Sequence, residues 1–216
     1  MNNVTPTVRS AQPGDAPFLA WAILAATRSH LPGGWFDIVL GTSTPETLRF
    51  LEQLLVTPTR SWWHWSRFLV AELQGRPVGA LSAFRASEGY PLSGAAMAEA
   101  SAKFGWSQET QAQMWARGGY LFTCGFEDDE DPWVLENIAT VPSERGRGVT
   151  AALIERALEE GRRHGAPLAQ ITFFIGNDSA ARAYTRAGFT LLDTRRHADF
   201  EKASGAPGLQ RARRPL

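Results

Sequence analysis

The segment from Trp133 to Ile175 most narrows the folds that this chain of 216 residues can adopt. It begins with a mostly apolar stretch, 133–141, that is typical of a strand. A short loop leads to the stretch 149–164, whose apolar residues recur on one helical face, and 168–175 is again strand-like. A strand, a helix and a strand with short joints predict a right-handed crossover between two parallel strands. We therefore expect an α/β fold.

The loop before this helix has the composition of a phosphate-binding site. The first N–H groups of a helix have no partner within the helix, and the helix dipole places positive charge there. Glycine lets the backbone curve tightly and approach a ligand closely, because it has no Cβ. Two glycines and two arginines share the loop, which reads Arg145, Gly146, Arg147, Gly148, Val149, Thr150. These features predict a site for a phosphate or pyrophosphate group.

A second pattern also matches this loop. Residues Gly146 to Ala151 fit Gly-x-Gly-x-x-Ala, which occurs in dinucleotide-binding folds. Four residues, 142–145, separate the strand from the first glycine, whereas that fold turns at once. Only 65 residues follow Ala151, too few to complete a doubly wound sheet. A dinucleotide-dependent oxidoreductase is therefore the weaker alternative.

Charge and residue counts argue against several other classes of protein. Lys and Arg number 22 and Asp and Glu number 22, so the formal net charge is zero, which disfavours binding of nucleic acid or anionic membrane through charge. One cysteine forms no intramolecular disulfide, and the four scattered histidines lack metal-ligand spacing, so we expect no metal site. No apolar run reaches the roughly 18 residues of a membrane span, and the first residues lack a secretory signal pattern. We expect a cytoplasmic protein without a membrane partner.

Periodicity and turn residues predict the remaining elements. Further strands are expected at 6–10, 68–73, 78–84, 189–196 and 208–214. Further helices are expected from Asp15 to Thr27, from Thr44 onwards, at 93–104, at 107–117 and from Asn177 to Gly188. Residues 30–43 are predicted to form a loop. The acidic run 127–131 is either a solvated loop or a collar that attracts a cationic substrate, and the tryptophans at 62–65 are core residues or pocket walls.

Two motifs in order along the chain resemble those of the GNAT N-acyltransferase superfamily. The segment from Arg145 to Thr150 is similar to its acetyl-CoA loop, Arg/Gln-x-x-Gly-x-Gly/Ala, with threonine in place of the last small residue. The segment from Asn177 to Phe189 is similar to its second signature, Asn-x-x-Ala-x-x-x-Tyr-x-x-x-Gly-Phe. The resemblance implies a mixed α/β fold with a mostly antiparallel sheet, a central parallel β-α-β pair and helices on both faces. It also implies one domain over 1–216 with a helical insertion at about 86–132.

The resemblance implies an N-acetyltransferase that moves the acetyl group of acetyl-CoA to a primary amine by direct attack on the thioester. The acceptor would be a small molecule or a peptide, and family members often form homodimers. The loop would cradle the pyrophosphate, the strand before it would pair with the pantetheine arm, and the second motif would contact the arm from the other side. The implied cofactor-binding residues are Ile138, Ala139, Thr140, Arg145, Gly146, Arg147, Gly148, Val149, Thr150, Asn177 and Ala180. A catalytically silent CoA-binding module is the alternative from another class.

Two side chains are candidates for the chemistry. Tyr184 stands at the tyrosine of the second motif, so the resemblance implies that it protonates the leaving thiolate; a packing role is the alternative. Glu136 is the candidate base, and its strand parity with Ile138 and Thr140 predicts that all three side chains point to one face. A structural, salt-bridged carboxylate is the alternative for Glu136. The resemblance further implies an oxyanion donor in the main chain near Ala139.

Other residues are expected to border the acceptor. His30 and His64 are the fallback bases. The insertion is expected to cover the acceptor pocket, with Trp106, Trp115 or Tyr120 as walls. Added bulk or a dimer contact is the alternative role for the insertion.

Overall fold

A computed structural model describes residues 5–127 and 130–216, which are organised around one sheet of seven strands. The strands are β1 (Thr7–Ser10), β2 (Phe68–Leu73), β3 (Arg76–Arg85), β4 (Trp133–Thr140), β5 (Leu168–Phe174), β6 (Thr190–Arg196) and β7 (Gly208–Pro215). The α-helices are α1 (Ala16–Arg28), α2 (Trp35–Leu40), α3 (Thr44–Leu55), α4 (Ala86–Gly89), α5 (Ser93–Lys103), α6 (Gln108–Gly118), α7 (Val149–Arg163), α8 (Asp178–Arg186) and α9 (Ala198–Ser204).

The order across the sheet is β1-β2-β3-β4-β5-β7-β6, and among the described strands only β4 and β5 are parallel neighbours. Helix α7 joins these two strands, so the predicted parallel β-α-β pair and the predicted fold class are confirmed. A doubly wound sheet needs a series of parallel strands. The mostly antiparallel sheet therefore excludes the dinucleotide-binding fold.

Successive side chains along a strand point to opposite faces of the sheet, so the apolar side chains form two cores, one on each face. In β2, Val70 faces the core that α1, α2 and α3 cover. Its neighbours Leu69 and Ala71 face the core that α7 covers. Helix α7 lies very close to the sheet, because a Cβ on Gly79 of β3 would come within 2.6 Å of the Val149 side chain.

The segment 86–132 leaves the sheet and returns to it at the same point. Arg85 at the end of β3 is paired with Trp133 at the start of β4. Between them lie α4, α5 and α6, and the last two match the helices predicted at 93–104 and 107–117. The segment packs on the sheet face that α1 to α3 cover.

Three helices, α2, α4 and α9, were not predicted from the sequence, and two of them bury aromatic side chains in the first core. Residues 30–43 contain α2, so the prediction of a loop there is wrong. This six-residue helix buries Trp35, Phe36 and Val39, and the Gly34 N–H donates to the Asp37 carboxylate (2.8 Å). The other is α9, which buries Phe200 against the first core. Tertiary packing stabilises both helices, since each is too short to form alone.

Candidate functional site

A cleft of about 1700 Å³ runs through the middle of the sheet. The parallel ladder of β4 and β5 ends at Leu135 and Ile171, although β4 continues to Thr140 and β5 to Phe174. Beyond the ladder both strands contribute to the cleft wall, so the gap between them is part of the cleft. Ligands of open α/β sheets bind at the carboxyl ends of such strands.

The glycine loop forms one end of this cleft. Gly146 and Gly148 both have φ of +79°, which only glycine adopts without strain, and a Cβ at either position would meet no atom within 4 Å. The backbone is therefore open toward the cleft where helix α7 begins. Arg145 lines the cleft, whereas the Arg147 guanidinium lies outside the lining and pairs with Glu144. Of the two loop arginines, only Arg145 is placed to meet a phosphate with its side chain.

Thr150, the departure from the usual loop pattern, fits beside β4. Its hydroxyl lies 3.0 Å from the Thr140 hydroxyl, so the β-branched side chain joins α7 to the end of β4. The partner of this hydroxyl in the structure is therefore a protein side chain of the strand before the loop. The Thr150 main chain still belongs to the first turn of α7.

Asn177 and Ala180 of the second motif lie on the opposite wall of the cleft. The Asn177 side-chain oxygen accepts from the Ala180 N–H (3.1 Å) and thereby caps α8. Its amide nitrogen donates to the Ser29 hydroxyl at the end of α1 (2.6 Å). These bonds give Asn177 a structural role that joins α8 to α1 beside the cleft.

A β-bulge in β4 changes which way the candidate residues point. Ala80 pairs with Ala139 and Ser82 with Glu136, so three residue steps on β4 oppose two on β3. The extra residue is Asn137, which has φ of +53° and is buried, and its amide donates to the Ser82 hydroxyl (3.0 Å). Asparagine tolerates positive φ better than most residues.

The expectation that Glu136, Ile138 and Thr140 share one face is wrong, because the bulge interrupts the alternation of side chains along β4. Ile138 packs into the core under α7, and Thr140 contacts Thr150 of that helix. Glu136 points to the other face, where the Tyr90 hydroxyl donates to its carboxylate (3.1 Å). Strand parity holds only while the ladder is regular.

Tyr184 enters the cleft from α8, on the α7 side of the sheet. Its ring packs against Phe173 and Phe189, with centroids 5.3 and 6.4 Å away. Burial raises the pKa of Tyr184 above its usual value near 10, and the negative charge of Glu136 raises this pKa further. The phenol therefore stays protonated at neutral pH and can donate a proton.

The two histidines proposed as fallback bases are placed differently. His30 lines the cleft near the start of α8, where its ring lies close to Gly176. His64 lies outside the cleft lining, and its Nδ1 is 2.7 Å from the Ser66 hydroxyl. Burial, with Arg60 and Arg67 nearby, lowers the pKa of His64 to about 4. His64 therefore has no place in the site.

Of the three residues proposed as walls in the insertion, one lines the cleft. Trp115 does so, and it is 39% exposed. Trp106 instead stacks on Phe50 in the core (4.9 Å between centroids). Tyr120 is buried against Phe200. The expectation that Trp106 or Tyr120 forms a wall is therefore wrong.

The acidic run behind the collar hypothesis is described only in part, since Asp128 and Asp129 lie outside the described residues. The Asp131 carboxylate accepts from the Ser87 N–H (2.8 Å) and pairs with Arg85 (3.6 Å). This carboxylate joins the two ends of the insertion.

The sequence did not single out Tyr90 as a site residue or predict the inward position of Trp35. Tyr90 is 46 residues away from Glu136 along the chain, so no local pattern connects the two. Asparagine is disfavoured in strands and tolerates a positive φ, but neither property of Asn137 predicts where the ladder is bulged. Among the described residues, no three His, Cys, Asp or Glu side chains lie together as a metal site would need. In the same part of the chain, none of the helices has the length and apolar character to cross a bilayer.

Comparison with known proteins agrees with this geometry. The model of the acetyltransferase (GNAT) family matches residues 40–189. A search of curated proteins by sequence gave no match.

Solved structures with the same fold include three acetyltransferases. An N-acetyltransferase from Staphylococcus aureus Mu50 has a TM-score of 0.71 at 17% identity, over 96% of this chain and 100% of that one. A polyamine N-acetyltransferase from Drosophila melanogaster that forms N-acetylagmatine has a TM-score of 0.56 at 20% identity, over 98% and 100%. A putative acetyltransferase from Salmonella typhimurium with its cofactor acetyl-CoA has a TM-score of 0.55 at 18% identity, over 98% and 94%. With a family model that spans most of its length, this chain belongs to the acetyltransferase (GNAT) family.

Proposed function

We propose that this protein transfers the acetyl group of acetyl-CoA to the nitrogen of a primary amine. The observation that carries the proposal is the gap between β4 and β5, which has the glycine loop at one end and the Glu136 carboxylate at the other. The open backbone at Gly146 and Gly148 fits a pyrophosphate, because no side-chain atom fills the space beside it. Acetyl-CoA supplies an activated acyl group as a thioester.

Different residues along the gap would contact different parts of acetyl-CoA. The main-chain N–H groups from Arg147 to Thr150, with the Arg145 side chain, hold the pyrophosphate. Main-chain groups from Ile138 to Thr140 pair with the pantetheine arm, and a main-chain N–H near Ala139 donates to the thioester oxygen as it gains negative charge. Asn177 and Ala180 border the arm from α8.

The reaction consumes an ammonium and a thioester and yields an amide, a thiol and one proton. Glu136 accepts a proton from the ammonium and passes it to solvent. The amine nitrogen then forms a bond to the carbonyl carbon, and the carbon–sulfur bond breaks. Tyr184 gives its phenolic proton to the leaving sulfur. The nitrogen loses its second proton as the amide forms, and this proton restores the Tyr184 phenol. The bulge at Asn137 places Glu136 on the opposite sheet face from α7, so the amine and the cofactor enter from different sides.

The first test is a thermal-shift titration with acetyl-CoA, desulfo-CoA, NAD and NADP in parallel. A ligand at 100 times its dissociation constant adds about 2.7 kcal/mol to the free energy of unfolding. For a chain of this size the midpoint then rises by roughly 5–10 °C. We expect both CoA ligands to raise it and both dinucleotides to leave it unchanged.

Thiol release in the presence of amines tests the reaction itself. We expect free thiol to appear only when acetyl-CoA and an amine are both present. Binding of CoA without thiol release from any amine would favour the silent CoA-binding module. A cytoplasmic location, a single domain and a homodimer stay predictions.

A further inference from the structure

We propose that the acceptor is an apolar primary monoamine, with its amino group beside Glu136 and an aromatic body in the half of the cleft that α1, α2 and the insertion enclose. This inference rests on the proposed acetyltransferase function and specifies the acceptor class for the same site.

Aromatic rings dominate this half of the cleft. We define the aromatic chamber by six of the ring residues that line this half of the cleft, which are Trp35, Trp62, Trp63, Tyr90, Trp115 and Phe122. The Trp62 and Trp63 rings pack at 4.3 Å between centroids, and Tyr90 meets Trp62 edge-on at 5.7 Å. The Trp35 ring stacks on Trp63 at 6.1 Å. Because these four rings pack against one another, the walls that they form are in place before a ligand arrives, and flat apolar groups pack well against them.

Charge in the aromatic chamber is sparse. Among the described residues that line this half of the cleft, Glu136 is the one with a formal charge, and the Tyr90 hydroxyl orients its carboxylate. One carboxylate compensates one ammonium. A second cationic group on the ligand would lose its water without an ionic partner, which weakens binding. Contact of that group with aromatic faces recovers only part of this loss.

The mouth of the aromatic chamber exposes large apolar side chains to solvent. Phe122 is 74% exposed and Trp115 is 39% exposed, and both belong to the insertion. Exposed apolar surface beside a cleft is typical of a ligand-binding site. The apolar body of a ligand would cover these rings, whereas a polyamine chain would place its positive charges against them.

Binding is measured first, without turnover, on the full chain saturated with desulfo-CoA. Tryptophan fluorescence is followed during titration with 2-phenylethylamine, butylamine and agmatine. Burial of a phenyl ring predicts a dissociation constant for 2-phenylethylamine about ten- to a hundredfold below that for agmatine, with butylamine between them. Binding of agmatine as tightly as 2-phenylethylamine, or more tightly, would overturn the inference.

Variants at the mouth of the aromatic chamber test where the amine binds. Trp115→Ala and Phe122→Ala should each raise the dissociation constant of 2-phenylethylamine by about three- to tenfold, because each removes apolar contact area. The affinity for desulfo-CoA should stay unchanged. Leu192→Ala is the matched control, since this residue on β6 is 53% exposed and lies outside the cleft lining. If neither mouth variant weakens binding, or if the control weakens it equally, the aromatic chamber is not the acceptor site.

Thiol release with the same three amines distinguishes a failure of this inference from a failure of the proposed acetyltransferase function. Faster turnover of agmatine than of 2-phenylethylamine would overturn the inference and leave the acetyltransferase in place. The predicted binding order without turnover of any amine would support the aromatic chamber as the ligand site and contradict the reaction.

Discussion

At the scale of single residues, the phenol of Tyr184 is the group with the clearest chemical assignment. We expect Tyr184→Phe to lower kcat by about a hundredfold or more, because the leaving thiolate loses its proton donor. The KM for acetyl-CoA should change little, since the ring still packs against Phe173 and Phe189. Steady-state measurement of thiol release checks both values.

Tyr120→Phe is the matched control for this experiment. Tyr120 is also a buried tyrosine, and burial raises its pKa to about 12, but its ring packs on Phe200 away from the cleft. We expect unchanged kcat in this variant. An undiminished kcat in Tyr184→Phe would remove the proposed acid.

Asn137 decides which way Glu136 points, so the bulge can be tested at one position. Asn137→Gly keeps the positive φ and loses the bond to Ser82, at a cost of about 1 kcal/mol in the free energy of unfolding. Asn137→Val adds backbone strain, and we expect a loss of about 2–4 kcal/mol. Urea unfolding measures both. Equal stability of the two variants would show that the positive φ does not matter.

At the scale of elements, the glycine loop and α7 form the proposed pyrophosphate site as a unit. Gly148→Ala forces a Cβ onto a residue with φ of +79° and into the space beside the helix N-terminus. We expect the affinity for desulfo-CoA to fall by about tenfold or more, because the added strain is about 1–2 kcal/mol and the backbone must move. Isothermal titration measures this change.

Gly165→Ala supplies the control at the other end of the same helix. Gly165 has φ of +65° and open space where a Cβ would lie. Its substitution should cost similar stability and leave the affinity for desulfo-CoA unchanged. An equal loss of affinity in both variants would mean that the loop acts only through the stability of α7.

The insertion illustrates what periodicity can and cannot predict about an element. The helices at 93–104 and 107–117 follow from spacing within the segment, and the structure confirms them within one residue at each end. Which rings reach the cleft depends on how α6 packs against α2, a contact between distant parts of the chain. Trp115 and Trp106 are equally apolar in sequence, yet one lines the cleft and the other stacks on Phe50.

At the scale of the whole molecule, His64 makes stability depend on pH. Its pKa is about 4 in the folded protein against a usual value of 6.5. Between these values the unfolded chain binds a proton that the folded chain does not, so the free energy of unfolding decreases as pH falls from 6.5 to 4.

Replacement of His64 should remove this part of the acid sensitivity. We expect His64→Gln to show a smaller loss of stability between pH 6.5 and 4 than the parent chain, as measured by urea unfolding at several pH values. His30→Gln is the control, because His30 is exposed. Identical pH dependence in His64→Gln and the parent would contradict the buried, neutral state of His64.

The α/β class, the connection from β4 through α7 to β5 and the family could be predicted from the amino-acid sequence, because they depend on local periodicity and on two motifs with fixed spacing. The sequence also placed the glycine loop at a helix N-terminus, since glycine and helix-start signals act over a few residues. Three outcomes could not be predicted in this way: α2 is a helix, the bulge at Asn137 turns Glu136 away from Thr140, and the Tyr90 hydroxyl contacts the Glu136 carboxylate. These outcomes depend on packing and hydrogen bonds between residues far apart in sequence, and no local pattern encodes such contacts.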